Sequence, residues 1–222
     1  MIDEFERPLS LVEATMNGIR SSIINGNLSL GQQITESFLQ KTFGFSKTPI
    51  REALALLKAE GLVESVPHKG FRVFKMDQKE LSEFCEFRLA LESQALRSAY
   101  QNKRLELVRE LKYLVKDFKE SIKNKDIAKY KLTDTKFHKS FFILSSNRYL
   151  TNSYENINSI IETIRTHTVT TISKNNVLND SVNGHLSIYY HIEGKNLSSA
   201  LDELGKHINS WHDDRIIKSR LI

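Results

Sequence analysis

Between residues 9 and 25, Val12, Met16, Ile19 and Ile23 recur at helical spacing, which predicts a helix with one apolar face. Asn25-Gly26-Asn27 ends it with residues that accept a left-handed turn. Thr35 is suited to cap a second helix running to about Phe43, before Gly44 breaks it. A third starts at Ser46, with Pro49 in the first turn, where a missing N–H costs little. Its apolar face is Ile50, Ala53, Leu54 and Leu57, while Lys47, Thr48, Arg51 and Lys58 point elsewhere. After Gly61 the period changes to two: LVESV and FRVFK alternate on either side of Pro67-His68-Lys69-Gly70 and predict a β-hairpin. From residue 78 onward helical spacing returns in six segments, roughly 78–100, 104–123, 126–145, 148–173, 182–193 and 197–218. The polar stretch SKNNVLNDSVNG, 173–184, reads as the one longer loop.

The pattern predicts a mainly α protein in two parts. Residues 1–77 form a winged helix-turn-helix, two short helices meeting at a glycine turn, then a third helix and a small β-hairpin wing. Residues 78–222 form an all-α antiparallel helical bundle, because connections this short place consecutive helices side by side. A length of 222 residues suits two folding units.

Composition narrows the setting. With 40% hydrophobic and 27% charged residues and only short apolar runs, no membrane span is expected. The opening MIDEFERPLS is acidic where a secretory signal needs a basic start, and a single cysteine, Cys85, permits no intrachain disulfide. Both fit the cytoplasm. The net charge of +5 is focused: residues 41–75 hold seven Lys/Arg against three Asp/Glu. A second basic stretch, Lys103 to Lys131, interleaves with Val108, Leu111, Val115, Phe118 and Ile122 at helical spacing and reads as a solvated helix face. The cations of the third helix gather at its N-terminus, the end that can meet base edges and phosphates in a major groove. Lys69, at the wing tip, is placed to touch phosphate or a minor groove.

Polar residues interrupt the apolar stripes of the second part at a few positions. Ile127, Tyr130, Asp134, Phe137/His138 and Phe141 form one inward series, so Asp134 and His138 share a face one turn apart. His185 lies on a stripe with Ile188, Tyr189 and Ile192, and His207 on one with Ala200, Leu201, Leu204, Ile208 and Trp211. The midpoint between His185 and His207 is Asn196, inside the predicted turn, so in an antiparallel hairpin both stand roughly 16 Å from that turn, at one level. Any one of these histidines taken singly reads as a core residue. Together, Asp134, His138, His185 and His207 suit a borderline divalent metal such as zinc or nickel. His68 falls in the wing, His191 and His212 lie off their stripes, and His167 lies on a stripe with Ile160 and Ile164 without pairing with the four. Arg88 and Glu92, at i and i+4, read either as a buried ion pair or as a cation facing a cavity to receive an anion.

Two resemblances add to this. ITESFLQKTFGFSKTPIREALALLKAEGLVESVPHKGFRV, residues 34–73, resembles the winged helix-turn-helix of the GntR superfamily of bacterial transcription regulators. That family's recognition helix begins Ser-Arg-Thr-Pro-x-Arg-Glu-Ala-Leu, matched here by Ser46 to Leu54. The resemblance implies that Lys47, Thr48 and Arg51 contact operator DNA and that Lys69 and Gly70 of the wing reach the groove. Lys47 replaces the usual Arg and gives up its bidentate fork, and Ser37 stands where the family often has Arg. Residues 78–222 resemble the FCD effector domain of the FadR-type branch, with Asp-x-x-x-His, a third His and a final His twenty-two residues later. The family's usual Glu before the third ligand is Gly184 here, and six helices are nearer the VanR-like subgroup. In such members the metal helps hold a small carboxylate. The combined expectation is a cytoplasmic, homodimeric repressor that binds double-stranded operator DNA and responds to an organic acid at a zinc-type site, with Arg88 receiving the acid. The alternatives are a regulator sensing the metal itself, or a metal-dependent hydrolase, which would lack any H-E-x-x-H or nucleophile-elbow motif.

Overall fold

The computed structural model describes residues 9–171 and 176–212. The chain divides into two compact units, Met1–Lys75 and Met76–Ile222. Among the described residues no helix is long and apolar enough to cross a membrane.

The first unit contains α1 (Leu11–Ile24), β1 (Gln33–Ile34), α2 (Glu36–Phe43), α3 (Lys47–Ala59), β2 (Val63–Val66) and β3 (Gly70–Val73). Local chemistry sets most of these boundaries. Ser10 and Glu13 form a reciprocal capping box at the start of α1, and Thr35 accepts from the Phe38 amide at the start of α2. Gly44 closes α2 in the left-handed conformation, φ 73°. Ser46 is the N-cap residue of α3, although its side chain makes no capping hydrogen bond. Ile19, Ile23, Leu39, Ile50, Leu54 and Leu57 are fully buried where α1 and α2 pack on α3. The hairpin gains a strand that hydrophobic alternation did not reveal: β1 pairs antiparallel with β3, giving the order β1-β3-β2. Two residues are too few to show a period. That pairing also accounts for Gly70, since a Cβ there would stand 2.9 Å from the Ile34 carbonyl oxygen and φ is 84°.

The second unit contains α4 (Gln78–Asn124), α5 (Ile127–Ser145), α6 (Arg148–Thr171), α7 (Asn176–Glu193) and α8 (Leu197–Asn209), then a single 3-10 turn, Ser210–His212. α5, α6, α7 and α8 all pack against α4. The break expected at Asn102 is present one residue on: Lys103 has non-helical backbone angles (φ −142°, ψ 39°), so α4 is two helices meeting at a kink. Two other sequence expectations change. The expected loop at 173–184 shrinks, since α7 begins at Asn176. Its Asn, Asp and Ser residues are weak helix formers, but propensity yields where tertiary contacts are made, here the 2.7 Å hydrogen bond between Tyr130 and Ser181. Ile127, expected inward, is exposed at the start of α5. The expected extension of the last helix to 218 and the stretch 172–175 lie outside the described residues.

Candidate functional site

In the first unit Lys47, Thr48 and Arg51 all stand exposed on the first turns of α3, while Pro49 and Ile50 between them are buried. Glu36, from the first turn of α2, gathers the two cations: Arg51 Nε lies 2.7 Å and Lys47 Nζ 3.5 Å from its carboxylate oxygens. The hydrogen bond from Arg51 holds the Glu36 carboxyl below its ordinary value. Lys69 and Gly70 are exposed at the wing, with the Lys69 carbonyl accepting from Gln33 Nε2 at 2.7 Å. Sequence reasoning did not single out Glu36, whose role depends on the packing of α2 against α3.

In the second unit α5, α7 and α8 bring Asp134, His138, His185 and His207 together, so that one ligand atom from each lies within 4.8 Å of all the others. His138 and His185 are fully buried and Asp134 nearly so. The Nε2 atoms of His138 and His185 face one another at 3.2 Å, and His185 Nε2 lies 3.3 Å from Asp134 Oδ1. The His185 and His207 rings meet edge-on, centroids 4.2 Å apart, and His185 also stacks on Phe118 at 4.3 Å. Gly184 makes room for this: a Cβ there would stand 2.9 Å from His207 Nδ1. His68 is exposed on the wing, and His167 and His191 are not among the clustered donors.

Buried charge frames the cluster. Glu92 places one oxygen 2.5 Å from Arg88 Nε and the other 2.6 Å from His138 Nδ1. Burial pushes the Glu92 carboxyl up, but the Arg88 charge and the adjacent His138 outweigh it and leave it at about 2. As an ionised acceptor it holds a proton on His138 Nδ1 and so turns the Nε2 lone pair toward the other donors. Burial likewise raises Asp134, yet the charge of Arg165 and the hydrogen bond with His185 keep it well below the ordinary carboxylate value. Arg165 Nη2 is 2.6 Å from Asp134 Oδ2. Arg88 also stacks over Trp211, 4.6 Å from the ring centroid.

Desolvation lowers two histidines of the cluster, His185 and His207. Burial depresses His185 below its ordinary 6.5, and burial followed by the neighbouring His185 and His138 depresses His207 well below it. Neutral imidazoles and an ionised carboxylate are the forms that coordinate metal. The donor set fits a borderline divalent cation, and the buried Nδ1 of His185, with no hydrogen-bond partner, belongs to a cluster incomplete as a hydrogen-bond network. The depressed values also predict a pH effect in metal-free protein. Below 6.5 the unfolded chain binds protons that folded His185 and His207 refuse, so stability falls as pH falls, with both histidines contributing. Chemical denaturation at pH 7.5 and 5.5 checks this.

A cavity of about 450 Å³ adjoins the cluster, lined by Arg88, Tyr130, Asp134, Arg165, His207 and Trp211 and, toward its rim, by Ser187 and Lys206 among others. Arg88 is ion-paired with Glu92 and also lines the cavity. Arg165 was missed, although a cation at i+4 from Ile161 on a buried stripe was the same kind of signal as the histidines.

A winged helix-turn-helix joined to a helical unit that encloses polar donors beside a cavity defines a DNA-binding transcription regulator. Residues 11–73 match the family of bacterial regulatory proteins, gntR family, and residues 83–210 match the FCD domain. The chain belongs to the GntR family of transcription regulators with an FCD C-terminal domain, and so is a regulator rather than an enzyme. It is 28% identical over 221 residues to the HTH-type transcriptional regulator YdhC of Bacillus subtilis (strain 168), covering 98% of this chain and 96% of that protein. It is 28% identical over 144 residues to the gluconate operon transcriptional repressor of Bacillus licheniformis, covering 65% of this chain and 59% of that one. The fold is shared with E. coli McbR/YncC at a TM-score of 0.74 and 19% identity, over 91% of this chain and 95% of that one.

Proposed function

We propose that this protein is a cytoplasmic, homodimeric repressor whose grip on operator DNA is set by a small carboxylate bound beside a zinc-type ion. The observation that carries the reading is a cluster of four donors beside a cavity that two of them, Asp134 and His207, line together with two buried arginines. Two carboxylates, Glu92 and Asp134, balance Arg88 and Arg165 there. A divalent cation adds uncompensated positive charge in a poorly solvated place, which favours an anion in the cavity. The ion itself would supply open coordination positions for ligand oxygens. Asp134, His138, His185 and His207 would hold it, Glu92 would orient His138, and Arg88 would receive the anionic group. A relative that represses a gluconate operon supports repression as the mode of control.

At the DNA end, Lys47, Thr48 and Arg51 meet the major groove from the start of α3, and Lys69 and Gly70 approach from the wing. Two such units in a dimer suit two half-sites of a pseudo-palindrome. Fluorescence anisotropy on the region upstream of the protein's own gene tests the reading. Wild type is expected to form a salt-sensitive, sequence-preferring complex, and Arg51→Ala to weaken it by about 1–3 kcal/mol. A wild-type protein without sequence preference at any salt concentration would overturn the reading. Repeating the titration with chelator, then with zinc and organic acids, separates control by an acid from control by the metal alone.

A further inference from the structure

Arg165 is 4% exposed, and its two terminal nitrogens have different fates. Nη1 donates to Thr135 Oγ1 at 2.6 Å. Nη2 lies 2.6 Å from Asp134 Oδ2, but at an angle that makes no hydrogen bond, and both atoms are buried without any other hydrogen-bond partner. The same side chain lines the cavity. Arg88 is placed differently, because its partner Glu92 also holds His138, so withdrawing Arg88 from Glu92 would disturb a candidate ligand. Arg165 instead neutralises a carboxylate that is itself one of the four clustered donors.

We propose that Arg165 is an anion anchor made available by cation binding. It serves as counter-ion to Asp134 while the cluster is empty of metal, and it receives the ligand's carboxylate once the Asp134 charge is committed to a cation. Two positive charges cannot both be satisfied by one buried carboxylate, so a guanidinium in the cavity lining becomes the place where an incoming anion is best stabilised. Metal then binds first and the acid second, each strengthening the other as linkage requires. This rests on the metal and carboxylate reading above.

The test is calorimetric titration of the full-length protein with zinc alone, then with acetate as a minimal carboxylate, with and without zinc, at constant ionic strength. Wild type is expected to bind acetate only when zinc is present. Arg165→Gln is expected to keep its zinc affinity within about threefold, or tighten it as Asp134 loses a competing cation. Its acetate affinity in the presence of zinc should fall at least about tenfold. A purely structural arginine would weaken both. Acetate binding that survives Arg165→Gln in zinc-loaded protein overturns the inference alone, whereas a wild type that takes up no zinc overturns the underlying reading. Should Arg165→Gln fail to fold, Arg165→Lys keeps the charge but cannot span Thr135 and a carboxylate together. It is expected to bind zinc normally and acetate several-fold more weakly; undiminished acetate binding would overturn the proposal.

Discussion

Replacing Glu92 with alanine is expected to destabilise the helical unit by about 3–5 kcal/mol, the cost of leaving a buried charge without its partner. Glu92 is 0% exposed and Arg88 1%, and the Glu92 oxygens serve Arg88 and His138 separately. Alanine therefore strands an almost fully buried guanidinium and frees the His138 ring from the acceptor that fixes its tautomer. The stacking of Arg88 on Trp211 remains, but a cation–π contact of about 0.5–2 kcal/mol does not replace an ion pair. Glu92→Gln separates charge from shape, since the amide can still accept from Arg88 while the negative charge is gone, and a smaller loss is expected. Urea denaturation of metal-free protein measures both variants. A loss below about 1 kcal/mol for Glu92→Ala would mean that Arg88 is solvated and that the cluster is more open than its burial indicates.

Replacing His185 with alanine is expected to lower zinc affinity at least about a hundredfold, since loss of a direct ligand exceeds the ten- to hundredfold cost of losing a ligand's supporting contact. His185 is the central member of the cluster. Its Nε2 lies 3.2 Å from His138 Nε2 and 3.3 Å from Asp134 Oδ1, and its ring touches that of His207. Competition against a chromophoric zinc chelator measures the change. His68→Ala, at an exposed wing position, is the control expected to bind as wild type does. The metal-free stability of His185→Ala should fall because Phe118 loses its stacked neighbour, but a buried Nδ1 without a partner is removed as well, which offsets part of that cost. Unchanged zinc affinity in His185→Ala would remove the cluster as the metal site.

The residues of the cluster were legible for a specific reason. Asp134 and His138 are one helical turn apart, and a turn centred on Asn196 brings His185 and His207 to one level, so helix geometry alone supplied two of the required coincidences. The supporting charges were not equally legible. Glu92 was read only against Arg88, four residues away, while its second contact is with His138, 46 residues away. Arg165 has its Asp134 partner on another helix, and nothing in its own turn announces that pairing.

The same division runs through the whole protein. The sequence by itself determined the helix start at Thr35, the glycine stop at Gly44, the polar front of α3 and the family, because capping, turn chemistry and amphipathic spacing act within a few residues. Only the tertiary structure decided that β1 joins the wing, that α7 starts at Asn176 and bonds Tyr130 through Ser181, that Glu36 gathers Lys47 and Arg51, and that two arginines and two carboxylates balance around the donors. Each of those depends on which distant groups packing brings into a common low-dielectric space, where a charge must find a partner or not be buried at all.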